Sequence, residues 1–453
     1  MSGGAGGIVE TTVNGRTYRI GASYSATKGD FILTILKMTI RGDEHLAECI
    51  KYIPSRATFL GVSNTKQPSR ELYYEFGTKE IVPLSALTRP YKREFAKSDW
   101  MLMYDYDPKK KGNRRNFCYY KNLGRIQPSK PGKPSVLELF AGAGGMSIGF
   151  KNAGLEVKWA VEKDTVAAAT IKANFTRSEV YTETVQDFLQ NAEKGESSVK
   201  ASAYPTKEEV QHIHASPPCQ GSSRANRVGG GEAIKNNDQT FQFVEAIRYF
   251  EPLTATLENV PGFLLDDNRH YLQKVVSDLL LMKYQVRLEV LNASDYRDPQ
   301  NRKRVLLFAA KVHMRLPSAP EVTHGKGGRL IPKRTVRDAI GWLEDHAIQN
   351  PSSTKMDTFH GETVHNLHGS DAKSQDDHIL HANRPARTIL GHPAAHYSGR
   401  CLTVRETACL QSFPSDYTFG GSITQQYKQV GNAVPVMMAT HVARSVARVY
   451  GLP

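Results

Sequence analysis

The chain has 453 residues, enough for two or three domains, and 40% of them are hydrophobic, so that real cores can form. The five cysteines form no CxxC pair, no apolar run reaches the roughly 18 residues of a membrane span, and no secretory signal is recognisable. These features argue against a zinc ribbon, a disulfide framework and a membrane protein, and predict a non-secreted protein of a reducing compartment. The net charge of +14 favours a polyanionic partner, although a generally basic surface without such a partner would have the same net charge.

The first third of the chain has the pattern of a small β domain. Residues 1–10 are glycine-rich and predict a disordered tail, and residues 11–123 contain short alternating runs such as RTYRIGASY, FILTILKMTI and ATFLGVS. Residues 124–134 are rich in Gly, Pro and Lys and predict a basic linker. The stretch 101–135 holds nine Lys and Arg against two Asp, so it is either a contact to a polyanion or a solvated linker.

The character of the sequence changes at residue 135. Strand and helix patterns alternate from 135 to 311, which predicts a parallel α/β sheet. Residues 312–385 are polar, loop-like and histidine-rich, and residues 386–453 close the region with the apolar helix VMMATHVARSVARVY.

A glycine-rich turn, LELFAGAGGMS, follows the first strand of the α/β region. Such glycines let the backbone approach a ligand beyond the strand's carboxyl end, although a plain tight turn has the same sequence pattern. Glu162 ends the second strand, twenty residues after Gly142, where its carboxylate can accept hydrogen bonds from ribose hydroxyls. Asp187 follows a third candidate strand and can read an adenine amino group. The lack of GxGxxG spacing favours a nucleoside without a pyrophosphate over NAD.

Cys219 lies between a Pro-Pro step and a glycine in ASPPCQGSSRAN. A lone cysteine in an α/β protein is usually a buried apolar residue, but Pro217 and Pro218 argue against a core strand and favour a nucleophilic thiol. The next segment, SSRANRVGGGEAIKNND, has the composition of a mobile basic loop that closes over a phosphate backbone. A disordered surface loop is the alternative.

One glutamate and two arginines complete the set. Glu258 in ENVPG ends the strand TATL, so we expect its carboxyl group to face the crevice, protonated and able to donate to a ring nitrogen. Arg302 and Arg304 alternate in PQNRKR, which predicts that both lie on one face of the strand that continues as VLLFAA. Alternatively, Arg302 and Arg304 are ordinary charged residues of the protein surface.

The region from Ser135 to Pro453 resembles, motif by motif and in order, the cytosine-5 DNA methyltransferase family. FAGAGG resembles the family's cofactor loop, PPCQG its catalytic loop, ENV its acidic motif and QNRKR its QxRxR motif. Residues 402–414 and 429–436 match its closing motifs.

The resemblance implies a Rossmann-like methyltransferase sheet that uses S-adenosyl-L-methionine, with a small target recognition region at 312–385. It implies that Cys219 attacks C6 of a cytosine flipped out of duplex DNA and that the methyl group goes to C5. Glu258 would bond N3 and the exocyclic amine of the base, and Arg302 would hold the base oxygen or orient Glu258. The implied catalytic residues are Cys219, Glu258, Arg302 and Arg304. The implied cofactor-binding residues are Phe140, Ala141, Gly142, Gly144, Gly145, Glu162, Asp187, Pro217, Asn432 and Val434. The implied DNA-binding residues are Ser223, Arg224, Arg227 and Lys235, and Asn259 and Arg405 should brace the catalytic elements.

Three departures from the family pattern lie near the expected site. Ser216 replaces the usual Gly before the Pro-Pro pair, Ser222 stands where an aromatic residue is usual, and Arg297-Asp298 replaces a Gly and an apolar residue. They leave open a catalytically silent homologue that binds chromatin. A tRNA methyltransferase is a third hypothesis, because one family member acts on tRNA.

The N-terminal β region resembles bromo-adjacent homology (BAH) domains in KGDFILTILKMTI, ECIKYIPSRATFLG and RELYYEFGTKEIVPLSAL. This resemblance implies histone tails or chromatin proteins as partners and a eukaryotic, nuclear enzyme. Tyr73, Tyr74 and Phe76 could frame a tail-binding surface or belong to the core. His360, His365 and His368 have loose spacing and no nearby cysteine, so we expect no metal site there.

Overall fold

The computed structural model describes residues 133–196, 204–218, 231–264, 266–348 and 379–453, and elsewhere only separate strands. No helix among these residues is long and apolar enough to cross a membrane. The chain divides into two compact units: residues 1–127, 264–289 and 309–316 form the first, and 128–263, 290–308 and 317–453 the second.

The described residues before position 122 are all in strands, as the alternating sequence predicted. The predicted strand ATFLGVS lies outside the described residues. β1 and β2 form an antiparallel pair, and the other strands follow the order β9-β8-β6-β5-β4-β3-β7, in which β6 and β8 are parallel. The strands are β1 (Glu10–Val13), β2 (Arg16–Arg19), β3 (Ser23–Ala26), β4 (Ile32–Arg41), β5 (Glu44–Pro54), β6 (Leu72–Pro83), β7 (Leu87–Pro90), β8 (Trp100–Asp105) and β9 (Asn116–Lys121).

Strands and helices alternate after residue 133, as expected for an α/β methyltransferase fold. The strands are β10 (Ser135–Leu139), β11 (Glu156–Val161), β12 (Glu179–Tyr181), β13 (His212–Ala215), β14 (Thr254–Asn259), β15 (Tyr284–Asn292) and β16 (Lys303–Lys311). The helices are α1 (Gly145–Asn152), α2 (Thr165–Asn174), α3 (Val185–Glu196), α4 (Gly231–Phe250), α5 (Asp266–Leu281), α6 (Val336–Ile340), α7 (Val404–Leu410), α8 (Ile423–Asn432) and α9 (Val436–Ala447). Two-residue strands β17 (Ala347–Ile348), β18 (Thr358–Phe359), β19 (Glu362–Thr363) and β20 (His365–Asn366) pair as β17-β20 and β18-β19.

The order of the α/β strands positions the site. It runs β12-β11-β10-β13-β14-β16-β15, and the first five strands are parallel. After β10 the chain moves outward to β11 and β12 and then returns to the other side of β10 as β13. Because ligands bind where such a sheet reverses direction, the carboxyl ends of β10 and β13 border the expected crevice.

Helix starts in this unit are fixed by side-chain caps. Asp164 accepts hydrogen bonds from the backbone N–H groups of Val166 and Ala167 at the start of α2. Reciprocal capping boxes begin α6, α7 and α8, formed by Thr335 with Asp338, Thr403 with Glu406, and Ser422 with Gln425. These caps define where the loops before α2, α6, α7 and α8 end.

Helix α6 joins the polar region after β16 to the closing segment. Val336, Ala339 and Ile340 are buried in one apolar cluster with Ile389 and Leu402. The target recognition region predicted at 312–385 therefore packs, through this helix, on the part of the chain that completes the α/β unit.

Candidate active site

The glycine-rich turn after β10 is an open cradle. Phe140 has φ 55° and Gly142 φ 57°, and the backbone N–H of Ala141 still donates to Val161 of β11. A Cβ atom added at Gly142 would meet no heavy atom within 4 Å. A non-glycine residue held at positive φ beside an open glycine is typical of a ligand site.

Glu162 lies directly after β11 and faces this turn. Its Oε2 accepts a hydrogen bond from the Gly142 N–H at 2.8 Å, and its Oε1 accepts one from the Asp164 N–H at 2.8 Å. Burial raises the pKa of Glu162 above its usual value. An open backbone cradle next to a carboxylate that accepts hydrogen bonds fits the nucleoside part of S-adenosyl-L-methionine, whose ribose offers hydroxyl donors.

The closing segment forms the wall behind the cradle. A Cβ at Gly145 would lie 2.5 Å from the Val434 carbonyl oxygen, so the backbone of Val434 packs directly on the start of α1. Asn432, also predicted to bind the cofactor, is the exposed last residue of α8.

Tyr417 is a residue of this wall that the sequence analysis missed. Its Oη donates to the Ala143 carbonyl oxygen at 2.6 Å, and a Cβ at Gly144 would lie 2.7 Å from this hydroxyl oxygen. Arg405, predicted to be structural, is buried and donates to the carbonyl oxygens of Pro414 and Tyr417 at 2.9 and 2.7 Å, which confirms its bracing role. The only signal for Tyr417 was its place just after LQSFP.

Asp187, the predicted adenine contact, lies near the start of helix α3. Strand β12 ends at Tyr181, and Asp187 lies in the first turn of α3. Its carboxylate accepts a hydrogen bond from the Thr184 hydroxyl at 2.6 Å, and its backbone N–H donates back to that hydroxyl. Asp187 follows the third strand, as the sequence predicted, and stabilises the start of α3.

Glu258 is paired with an arginine at the end of β14. Its Oε1 lies 2.7 Å from Arg304 Nε, and the two side chains are only 9% and 11% exposed. Among the described residues no other side chain bonds to this carboxyl group, so Oε2 remains for a ligand. The Arg304 guanidinium therefore fixes the orientation of the Glu258 carboxyl group at the end of β14.

Arg302 does not hold Glu258. It precedes β16, which begins at Lys303, and it is 3% exposed. Its guanidinium donates to the carbonyl oxygens of Ile389 at 2.6 Å and Gly431 at 2.8 Å. Arg302 and Arg304 both point inward while Lys303 between them is exposed, as the alternation predicts, and Arg302 ties the backbone at Ile389 to the end of α8.

Gln300 continues this internal bracing. Its amide nitrogen donates to the Leu410 carbonyl oxygen at 3.0 Å, and its Oε1 accepts from the Ile389 N–H at 3.2 Å. The QNRKR motif thus uses Gln300 and Arg302 to fix the closing segment and Arg304 to hold the carboxylate.

Part of the predicted site lies outside the described residues. Pro217 is buried directly after β13 and Ser216, but Cys219, Ser222, Ser223, Arg224 and Arg227 fall in the stretch 219–230. Lys235 lies in helix α4, so the predicted basic loop is shorter than expected. The apolar positions Phe243, Val244 and Ile247 continue a helix that reaches back to Gly231.

The departure at Arg297-Asp298 has a structural explanation. Arg297 ends a short 3-10 turn with φ 78°, a conformation that glycine adopts freely. Asp298 is fully buried and accepts hydrogen bonds from the backbone N–H groups of Met437 at 3.3 Å and Met438 at 2.8 Å. It therefore caps α9 from a distant part of the chain, and burial raises its pKa to about 7.

Comparison with known proteins agrees with this geometry. Residues 135–448 match the family described as C-5 cytosine-specific DNA methylase. The type II methyltransferase M.AplI of Arthrospira platensis is 32% identical over 327 residues, which cover 69% of this chain and 85% of that protein. DNA (cytosine-5)-methyltransferase 3 of Arabidopsis thaliana is 27% identical over 69% of this chain, which spans only 30% of that longer protein.

A solved structure shares the fold. A prophage-encoded protein of E. coli, described as a DNA modification methyltransferase, is 25% identical, has a TM-score of 0.56 and covers 70% of this chain and 99% of its own. The matched region contains the cradle, Glu162, Glu258 and Arg304. The chain therefore belongs to the C-5 cytosine-specific DNA methylase family, whose members are S-adenosyl-L-methionine-dependent DNA (cytosine-5)-methyltransferases.

Proposed function

We propose that this protein methylates C5 of cytosine in DNA, on a base flipped out of the duplex, through a covalent bond between Cys219 and C6. The observation that carries the proposal is the placement of two features at one edge of one parallel sheet. The cradle with Glu162 follows β10 and β11, and the pair of Glu258 with Arg304 follows β14 and enters β16. Cys219 follows β13, the strand between them.

The sulfur of Cys219, as the thiolate, adds to C6 of the cytosine and shifts electron density to C5. Glu258, held by Arg304, hydrogen-bonds the ring N3 and the exocyclic amine and stabilises the charge that develops on the ring. When bound, S-adenosyl-L-methionine supplies the electrophilic methyl group that C5 takes up. A base then removes the C5 proton, and the C6–sulfur bond breaks to release Cys219 and restore the aromatic ring.

The target base must leave the helix for this chemistry, because C6 is shielded within the stack. Ser223, Arg224, Arg227 and Lys235 follow Cys219 closely in the sequence, and we assign them to the DNA backbone near the extruded base. Phe140, Ala141, Gly142, Gly144, Gly145, Pro217 and Val434 would hold the cofactor together with Glu162.

A duplex containing 5-fluorocytosine tests the covalent step. The fluorine cannot leave as a proton does, so the wild-type protein with cofactor should form an adduct that survives denaturing electrophoresis. Cys219→Ser should form no adduct and should still bind the cofactor. Cofactor binding by the wild type without an adduct would contradict the proposal and favour the silent homologue. The remaining alternative is a tRNA methyltransferase. Parallel assays of labelled methyl transfer to duplex DNA and to tRNA distinguish it from a DNA methyltransferase.

We also propose that the N-terminal strands form a BAH-like module that brings the enzyme to chromatin in a eukaryotic nucleus. The support is the resemblance of three sequence segments and the run of strands between Ser23 and Lys121. The full chain should bind nucleosomes more tightly than the same DNA free of histones, and Tyr73→Ala, Tyr74→Ala and Phe76→Ala should each reduce that difference. Equal affinity for both would exclude a tail-binding module.

A further inference from the structure

Two neighbouring strands carry a row of polar side chains through the core. His212 and His214 lie on β13, and Thr254 and Thr256 lie opposite them on β14. All four residues are completely buried. Alternate residues of a strand share one face, so the four side chains meet on the same side of the sheet.

These side chains form one continuous series of hydrogen bonds, which we name the histidine–threonine network. It comprises Gln211, His212, His214, Ser216, Thr254, Thr256 and Tyr450. At one end, Tyr450 Oη lies 2.8 Å from the Gln211 carbonyl oxygen and 2.8 Å from Thr254 Oγ1. His212 lies between the two threonines, with Nδ1 2.8 Å from Thr254 Oγ1 and Nε2 3.1 Å from Thr256 Oγ1. His214 continues the series, with Nδ1 2.8 Å from Thr256 Oγ1 and Nε2 2.9 Å from Ser216 Oγ.

Both imidazoles in the network are neutral. Burial lowers the pKa of His214 to about 3 and also lowers that of His212, and no carboxylate contacts either ring to oppose this effect among the described residues. The ring of Phe150 packs edge-on against both imidazoles, at centroid distances of 5.3 and 5.6 Å. Each ring is therefore fixed in place with one N–H donor and one acceptor nitrogen.

Proton counting then fixes the direction of every bond. Tyr450 gives its single proton to a carbonyl oxygen, so Thr254 must donate to Tyr450. Thr254 has no second proton and must accept from His212 Nδ1–H, which leaves Nε2 of His212 as an acceptor. The same argument makes Thr256 donate to His212 Nε2 and accept from His214 Nδ1–H. His214 Nε2 is then an acceptor, and Ser216 donates its hydroxyl proton to it.

The network ends where the catalytic loop begins. Ser216 is tied twice, because its side chain donates to His214 and its backbone N–H donates to the Leu139 carbonyl oxygen at 3.3 Å. Pro217 follows directly, and Cys219 is three residues further on. The other end of the network is a backbone carbonyl group, which has no proton to give, so the network orients groups and does not conduct protons.

We propose that Ser216 is a positioning residue: the histidine–threonine network locks its side chain and thereby fixes the point from which the Cys219 loop leaves the sheet. The kinetic consequence rests on the proposed methyl transfer. A glycine at this position would lack the hydroxyl tether to the core. The network is thus a specific device of this chain, carried by the departure at position 216.

The state of the two imidazoles tests the network without reference to activity. Long-range ¹H–¹⁵N spectra of protein labelled on histidine nitrogen should show both His212 and His214 with the proton on Nδ1. Free neutral histidine has no such constraint, so an Nε2–H form of either ring would overturn the network. Thr256→Val, which removes the hydroxyl that links the two rings, should shift the signals of both histidines.

Kinetics test the positioning role. Ser216→Ala should lower kcat for DNA methylation and the single-turnover rate of adduct formation by about 10-fold, because a loosened nucleophile is misplaced, while KM for the cofactor stays unchanged. Ser216→Thr keeps the hydroxyl and should restore most of the rate. Thr256→Val should reproduce the loss from within the core, and Thr256→Ser should rescue it.

The outcomes separate the two proposals. Full kcat in Ser216→Ala would overturn the positioning role, and a loss that Ser216→Thr fails to restore would assign the residue a merely structural role and overturn it as well. If the wild type forms no adduct while both histidines show the Nδ1 proton, the proposed reaction fails and the network stands.

Discussion

Arg297, one of the departures from the family pattern, has a backbone conformation that glycine adopts more easily. Its φ of 78° lies in the left-handed region, where a Cβ atom crowds the following carbonyl oxygen. The side chain is exposed and makes no contact that compensates this strain among the described residues. The position therefore favours glycine.

Arg297→Gly should accordingly stabilise the protein by about 1 kcal/mol, since it removes the left-handed penalty at an exposed site. Urea denaturation monitored by fluorescence measures the change. Arg297→Ala is the matched control, because it removes the charge and keeps the Cβ atom. Equal stability of the two variants would show that the charge and not the angle matters.

Glu138 gives the protein a pH dependence of known sign. Burial raises its pKa to about 8, from the 4.5 of an ordinary glutamate, while the Ser147 hydroxyl donates to it. Between these two values the folded protein holds a proton that the unfolded chain has released. Folding is therefore favoured on the acidic side, and stability falls as the pH rises through this window, by about 1.4 kcal/mol per pH unit.

Glu138→Gln is neutral at every pH and keeps an oxygen for Ser147, so its stability should vary less with pH than that of the wild type. Thermal unfolding at pH 5, 6, 7 and 8 measures the two slopes. Glu193→Gln, at an exposed position of α3, should leave the wild-type slope unchanged. Parallel curves for Glu138→Gln and wild type would contradict the assigned titration.

At the scale of elements, helices α1 and α9 approach so closely that their contact requires a glycine. A Cβ at Gly149 would lie 2.6 Å from the Ala439 carbonyl carbon and 2.7 Å from its Cβ. This contact presses the closing helix against the helix that follows the cofactor cradle. Backbone atoms cannot move aside as the end of a side chain can, so the position tolerates no larger residue.

Gly149→Ala should destabilise the protein by about 1–3 kcal/mol, although alanine is the better helix former. It should also weaken cofactor binding, because α1 must shift away from α9. Isothermal titration and denaturation measure both effects. In Gly341→Ala the new Cβ would meet only the flexible Arg337 side chain, at 3.3 Å, so this control should change neither quantity much.

The sequence predicted most elements of the α/β unit, because each has a local signal. The apolar run of β10, the glycine turn after it and the helix caps are readable within a few residues. The contacts of Arg302 have no such local signal, because its partners Ile389 and Gly431 lie 87 and 129 positions further along the chain. The histidine–threonine network and the cap of Asp298 on α9 join residues more than 130 positions apart. The sequence alone does not show which of such distant residues contact each other.

At the scale of the whole molecule, the charge of +14 should govern DNA affinity more than any single contact. Binding that neutralises about six phosphates loses roughly 10³-fold in affinity between 50 and 200 mM salt. We expect a loss of this order for a cytosine-containing duplex, measured by fluorescence anisotropy. Cofactor affinity over the same range should stay nearly constant, and an equally salt-insensitive DNA affinity would argue against a phosphate-based interface.

The wall formed by Tyr417 and Val434 behind the cradle has a consequence for biosynthesis. The ribosome delivers β10 and its glycine turn early, but the side chains that support the turn emerge almost three hundred residues later. A nascent chain that ends before Tyr417 therefore contains the cradle and Glu162 without the wall that supports them.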